Sequence, residues 1–196
     1  MNKSKKKKQW HEYLYVVSTI YLLLGIFNIL FAWLGIICFS IPLIISLKGE
    51  GKAYCKSYCG RGQLLFILGN KLKLSRNKPM PKFLRTKWFR YGFLAFFMTM
   101  FGSMLFNTYM VFAGTRGLRQ VITVLWTWKL PWDWVNTSFV SQWAASFAFG
   151  FYSIMLTSTI LGVIMMGLFK SRSWCVVCPM GTMTQGISII KHKNAA

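Results

Sequence analysis

Apolar residues run through this chain in long stretches separated by basic, polar ones. From Tyr13 to Leu47 there are 35 residues without a Lys, Arg, Asp or Glu. A membrane span needs about 20 predominantly apolar residues, so this run is too long for one straight helix and a tight fit for two. Two short spans joined near Gly25 and Asn28 fit it. The alternative is a single tilted span kinked at Pro42. The runs from Tyr91 to Gly114 and from Ala144 to Phe169 each predict one further span. Residues 48–90, between the first run and the second, are basic and polar, apart from a short patch, Leu64 to Leu68, that cannot cross a bilayer. Pro79 and Pro81 break any helix there. Residues 115–143 hold Trp126, Trp128, Trp132, Trp134 and Trp143, as suits a segment at the membrane–water boundary.

Composition sharpens the picture. The 196 residues are 55% hydrophobic and 17% aromatic but only 14% charged, with 24 Lys+Arg against 3 Asp+Glu. Soluble domains carry about 25% charged residues, and a disordered chain would be poor in aromatics. A net charge of +21 on so apolar a chain points to lipid as the partner, with no nucleic acid. Lys and Arg gather on the cytoplasmic side of membrane proteins. The N-terminal tail, residues 48–90 and residues 170–196 together hold 21 of the 24, and the tryptophan-rich connection holds 3. That distribution needs an even number of crossings before residue 48. The expected fold is therefore all-α: a four-helix transmembrane bundle in the cytoplasmic (inner) membrane, multi-pass, with both termini inside.

Two of the basic segments resemble each other. Lys52-Ala-Tyr-Cys55-Lys-Ser-Tyr-Cys59-Gly-Arg-Gly62 matches Arg172-Ser-Trp-Cys175-Val-Val-Cys178-Pro-Met-Gly181. Each has a base three before its first Cys, an aromatic residue directly before it, and Gly three after the second Cys. Each follows a returning span and leads into a moderately apolar stretch. The chain then divides into a basic tail (1–12), a first repeat (13–70), a basic connection (71–90), a second repeat (91–191) and a short tail (192–196). Two crossings separate the units, so the repeats are parallel and related by an axis along the membrane normal. That axis would bring Cys55, Cys59, Cys175 and Cys178 to one face.

Soft thiolates suit zinc and iron–sulfur clusters, and a Pro directly after the last Cys also ends bacterial ferredoxin runs. Gly62 and Gly181 would allow tight turns and close backbone approach. Lys52, Lys56, Arg61 and Arg172 would offset the charge of a thiolate-ligated cluster. Other readings of the same cysteines are a quinone-linked thiol–disulfide relay, a structural zinc site in a non-redox assembly subunit, and small apolar filling. Cys38, inside a span without a partner motif, reads as packing. The only histidines, His11 and His192, lie at the edge of the apolar runs, which disfavours haem. Glu12 and Glu50 lie near the ends of the first run, so no intramembrane acid marks a proton path. No acid–base or nucleophile constellation is visible. The chain therefore reads as an electron-transfer subunit more than an autonomous enzyme.

The aromatic-Cys-x3-Cys-(Pro)-x-Gly pattern, set between a returning helix and a short apolar helix, is similar to the membrane module of NapH- and NosR-type proteins. The resemblance covers about residues 13–190. It implies a polytopic protein with two cysteine motifs at the cytoplasmic face, a [4Fe-4S] cluster ahead of [2Fe-2S] or Zn, and electron transfer from quinol or other donors to partner redox proteins. This chain has Gly60 where the family usually has Pro, and two residues between Cys175 and Cys178. Residues 71–90 carry eight bases in twenty. They would attract anionic lipid or dock an acidic carrier such as a ferredoxin or flavodoxin.

Overall fold

The first apolar run breaks where one polar side chain interrupts it. In the computed structural model, which describes residues 13–47, 58–118, 121–125, 128–131 and 140–194, helix α1 (Leu14–Phe27) ends at Asn28. Asn28 is extended (φ −142°, ψ 112°) and donates its N–H to the Leu24 carbonyl at 2.8 Å. Its side-chain oxygen accepts from the Leu30 N–H at 3.0 Å. One residue closes one helix and caps the next. A 3-10 turn (Ile29–Trp33) runs into α2 (Leu34–Leu47), which carries Pro42 inside it.

Three segments are long and apolar enough to cross a membrane: Ile29–Leu47, α5 (Lys87–Phe112) and α6 (Gln142–Leu168). Helix α1, at 14 residues, is shorter than the about 20 a span needs. The described residues thus show three helices of spanning length and one short apolar helix, where the sequence predicts four spans. Val17, Phe27, Ile37, Ile44, Phe106 and Phe112 are exposed. Such exposed apolar side chains suit hydrocarbon better than water, and together with the three helices of spanning length they suggest a membrane protein.

Helix α6 is the axis. It buries Ala145, Ala148, Phe149, Phe151, Tyr152 and Thr157 against α5, the 3-10 turn and a strand. The Tyr152 hydroxyl donates to the Leu22 carbonyl at 2.9 Å. A Cβ at Gly25 would collide with the Tyr152 ring, so a small residue sets the approach of α1 to α6, as at other membrane helix contacts.

The connection between α5 and α6 departs from the all-α expectation. Strands β1 (Val121–Val124) and β2 (Trp128–Pro131) form an antiparallel hairpin with Val121 opposite Pro131 and Val124 opposite Trp128. Ile122 and Val124 are buried against Ile29, Phe149 and Tyr152. The Thr123 N–H donates to Ser153 Oγ (3.0 Å) and the Leu125 N–H to Thr157 Oγ1 (3.4 Å). At 1.5 Å per residue, these hydroxyls lie roughly 20 Å along α6 from its start, so the hairpin runs down into the bundle. Strand backbone survives in apolar surroundings only where protein satisfies it, and α6 supplies the acceptors. Replacing Thr157 with Val removes one acceptor and costs about 1–3 kcal/mol. Amide exchange at residues 121–125 is then expected to accelerate, and unchanged exchange would count against the bond. Trp128 and Trp143 are exposed, while Trp126, Trp132 and Trp134 lie outside the described residues.

At the opposite end, the basic side folds back on the bundle. Helix α3 (Gly60–Lys71) lies along the last turns of α6, with Leu65 against Gly162 and Gly69 against Ser171 and Met166. After it, Ser75 Oγ donates to the Phe169 carbonyl and the Arg76 N–H to the Gly167 carbonyl. These contacts satisfy carbonyls at the C-terminus of α6, where basic residues are also favoured by the helix dipole. Short helices α4 (Lys82–Arg85) and α7 (Trp174–Val177) precede α5 and α8 (Pro179–Asn194). Helix α8 is tied to α2 by Ser46 Oγ donating to the Thr184 carbonyl (2.8 Å), and to α5 by Arg90 donating to Gln185 Oε1 (2.8 Å).

Candidate metal centre

Around the second cysteine of each segment the chain takes the same local form. Cys59 directly precedes α3, and its carbonyl accepts from the Gln63 N–H at 3.0 Å. Cys178 directly precedes α8, and its carbonyl accepts from the Thr182 N–H at 3.0 Å. The second cysteine of each motif therefore stands at a helix N-terminus. Pro179 fills the first helical position of α8, where no N–H is needed. The Cys59 sulfur also accepts from the Gly62 N–H at 3.3 Å. Helix N-termini present unpaired N–H groups and the positive end of a dipole to an anion.

These ends meet. A Cβ built on Gly62 would stand 3.5 Å from Cys175 Sγ and 3.6 Å from Cys59 Sγ. Sulfurs from the two halves of the chain thus lie within van der Waals reach of one spot beside Gly62. Cys178 joins them in lining a chamber of about 120 Å³, walled by Phe97, Phe101, Ile154, Met155 and Trp174. The fourth expected ligand, Cys55, lies outside the described residues, as do Lys52 and Lys56. The chamber is sunk in the bundle rather than set at its edge. Phe101 and Ser158, both in its wall, lie roughly 15–20 Å inside α5 and α6 from their basic ends at 1.5 Å per residue. Helices α3 and α8 start at this depth and run back toward the basic side.

Burial pushes the Cys59 thiol above its ordinary value, and the neighbouring Cys178 adds to this. The Gly62 N–H and the Arg61 charge pull the other way. A metal would bind the thiolate form, so loading would release a proton here. Arg61 is the only charged residue among the described residues that line the chamber. Its guanidinium donates to Ser158 Oγ and, at 2.8 Å, to Met155 Sδ. Arg172 sits elsewhere, 4.7 Å over the Phe66 ring.

The residues suit a multi-iron cluster. The donors are soft thiols. The chamber is about tenfold larger than the least space that holds one water. The Trp174 indole N–H is buried with no acceptor in the structure, in a residue of the chamber wall, and cluster sulfur would accept from it. Among the described residues no group of three His, Cys, Asp or Glu side chains is placed to hold a metal ion; Cys55 lies outside them. Structural zinc needs four ligands around one point, with sulfur at about 2.3 Å.

Two features escape a reading of the sequence alone. Cys38, read as packing, lines the chamber beside Phe39 and Pro42. Met155 and Ser158 hold Arg61 from the middle of a span. The signal for these was the run of Ser153, Thr157, Ser158 and Thr159 in an otherwise apolar helix, since polar groups in spans are kept for contacts or function. A second cavity, of about 400 Å³, opens between α5, α6 and the hairpin, and Ile154 lines both.

The sequence profile of one protein family, described as a 4Fe-4S binding domain, matches residues 31–79 and 141–194, together more than half the chain. Each matched block holds one long apolar helix, one cysteine segment and the helix after it. No curated protein and no solved structure matches the chain.

Proposed function

We propose, because this chain belongs to the 4Fe-4S binding domain family, that it is a membrane electron-transfer subunit of the NapH and NosR type, working in a respiratory or reductase assembly. Cys55, Cys59, Cys175 and Cys178 would hold one [4Fe-4S] cluster. The observation that carries this reading is the approach of the Cys59 and Cys175 sulfurs to within 4 Å of one point beside Gly62. When bound, the cluster supplies one-electron chemistry. The chain does the rest. Phe97, Phe101 and Trp174 keep water out, and the ends of α3 and α8 turn backbone N–H groups toward negative charge.

By the positive-inside rule, the basic side faces the cytoplasm with both termini. There residues 71–90 form the dock for an acidic ferredoxin or flavodoxin. Exchange with such a carrier is expected to slow steeply as ionic strength rises, and a salt-independent rate would remove the docking role. The larger cavity suits a quinone, with Met100, Met104 and Phe149 for the ring and Ser103, Asn107 and Lys129 as donors.

A reductive titration tests the function. Protein purified without oxygen and titrated with dithionite should take up one electron per cluster, losing visible absorption and gaining an electron paramagnetic resonance (EPR) signal. Zinc with no electron uptake, or two-electron uptake by a disulfide alone, would overturn the electron-transfer reading.

A further inference from the structure

We infer that Arg61 sets the reduction potential of the centre, as the one fixed positive charge among the described residues of the chamber wall. The inference rests on the reading that the chamber holds the cluster. The guanidinium is pinned by Ser158 Oγ and Met155 Sδ, and both acceptors are neutral. The described residues contain no Asp or Glu; the chain's three are Glu12, Glu50 and Asp133. A charge inside an apolar bundle is costly unless compensated. A cluster whose four thiolates outweigh the charge of its core would compensate it.

The internal repeat supplies a control. Cys59-Gly60-Arg61-Gly62 aligns with Cys178-Pro179-Met180-Gly181. Met180 lines the same chamber, so the turn does not need a base at this position. Of these two aligned positions, only the first carries a cation. Reduction adds one electron to the cluster and makes or breaks no bond, so the centre becomes more negative. A fixed cation beside it favours the reduced form and raises the potential.

The test combines iron and sulfide analysis with an EPR-monitored redox titration of the full chain, using dithionite and mediators. Arg61→Met is expected to keep its iron and to show about tenfold less reduced cluster at a given ambient potential, ~59 mV for one electron. Arg61→Lys should restore most of the shift, which a merely structural role would not do. Full iron content with an unchanged potential in Arg61→Met overturns the inference and leaves the cluster reading intact. If Arg61→Met binds no iron, Ser158→Ala decides. It keeps the charge but removes one of its two anchors in the wall, so its potential should fall, and a wild-type potential there overturns the inference. Absence of iron from the wild-type protein instead overturns the underlying cluster reading, before any potential is measured.

Discussion

Cys59→Ser and Cys178→Ser should each strip the protein of its iron, by at least the roughly tenfold or more seen when groups merely supporting metal ligands are removed. Serine makes this a specific test. Cys59 caps α3 through its sulfur and the Gly62 N–H, and serine is among the best helix caps. The helix should therefore form as before, with helicity by circular dichroism unchanged, while the soft ligand is gone. Cys38→Ser should keep its iron, because Cys38 belongs to neither cysteine segment although it borders the chamber. Full iron in Cys59→Ser would mean that the convergence of sulfurs around Gly62 is packing and not ligation.

The second large effect is expected one residue on. A Cβ at Gly60 would stand 2.5 Å from the Leu14 carbonyl oxygen and 3.1 Å from Ser18 Oγ. The first obstacle is backbone and cannot rotate away. Gly60→Ala must push α3 off α1 and carry Cys59 with it. Overpacking of this kind costs about 1–3 kcal/mol, and for a chain of this size each kcal/mol lowers Tm by roughly 2–4 °C. Gly60→Ala should therefore melt several degrees earlier and lose iron. Gly92→Ala, where a Cβ meets nothing within 4 Å, should do neither. A Gly60→Ala protein with normal melting and normal iron would show that α1 and α3 are not locked at this contact.

Much of the helical frame was legible because length alone decides it. A 24-residue apolar run from Tyr91 to Gly114 has room for one span, and α5 occupies nearly those residues. Asn28 was legible too, since a lone Asn in an apolar run is both a helix breaker and a cap. The hairpin was hidden for a physical reason. Val121–Val124 is four residues long, too short to show a period, and its N–H acceptors sit on Ser153 and Thr157 some thirty positions later. The depth of the chamber was hidden likewise. Apolar patches such as Leu64 to Leu68 are too short to cross a membrane. Nothing local says that such a patch begins inside the bundle and runs back out. The pairing of Cys59 with Cys175 was legible because the motif is written twice, and symmetry carries information that distance along the chain does not.

The most direct test is the iron, zinc and acid-labile sulfide content per chain of anaerobically purified wild-type protein, with Mössbauer and EPR spectra of the reduced sample. One cage shared by both cysteine segments predicts four irons and four sulfides per chain, in keeping with the 4Fe-4S family, in a single magnetic centre. Zinc without sulfide, or two separate centres per chain, would contradict it.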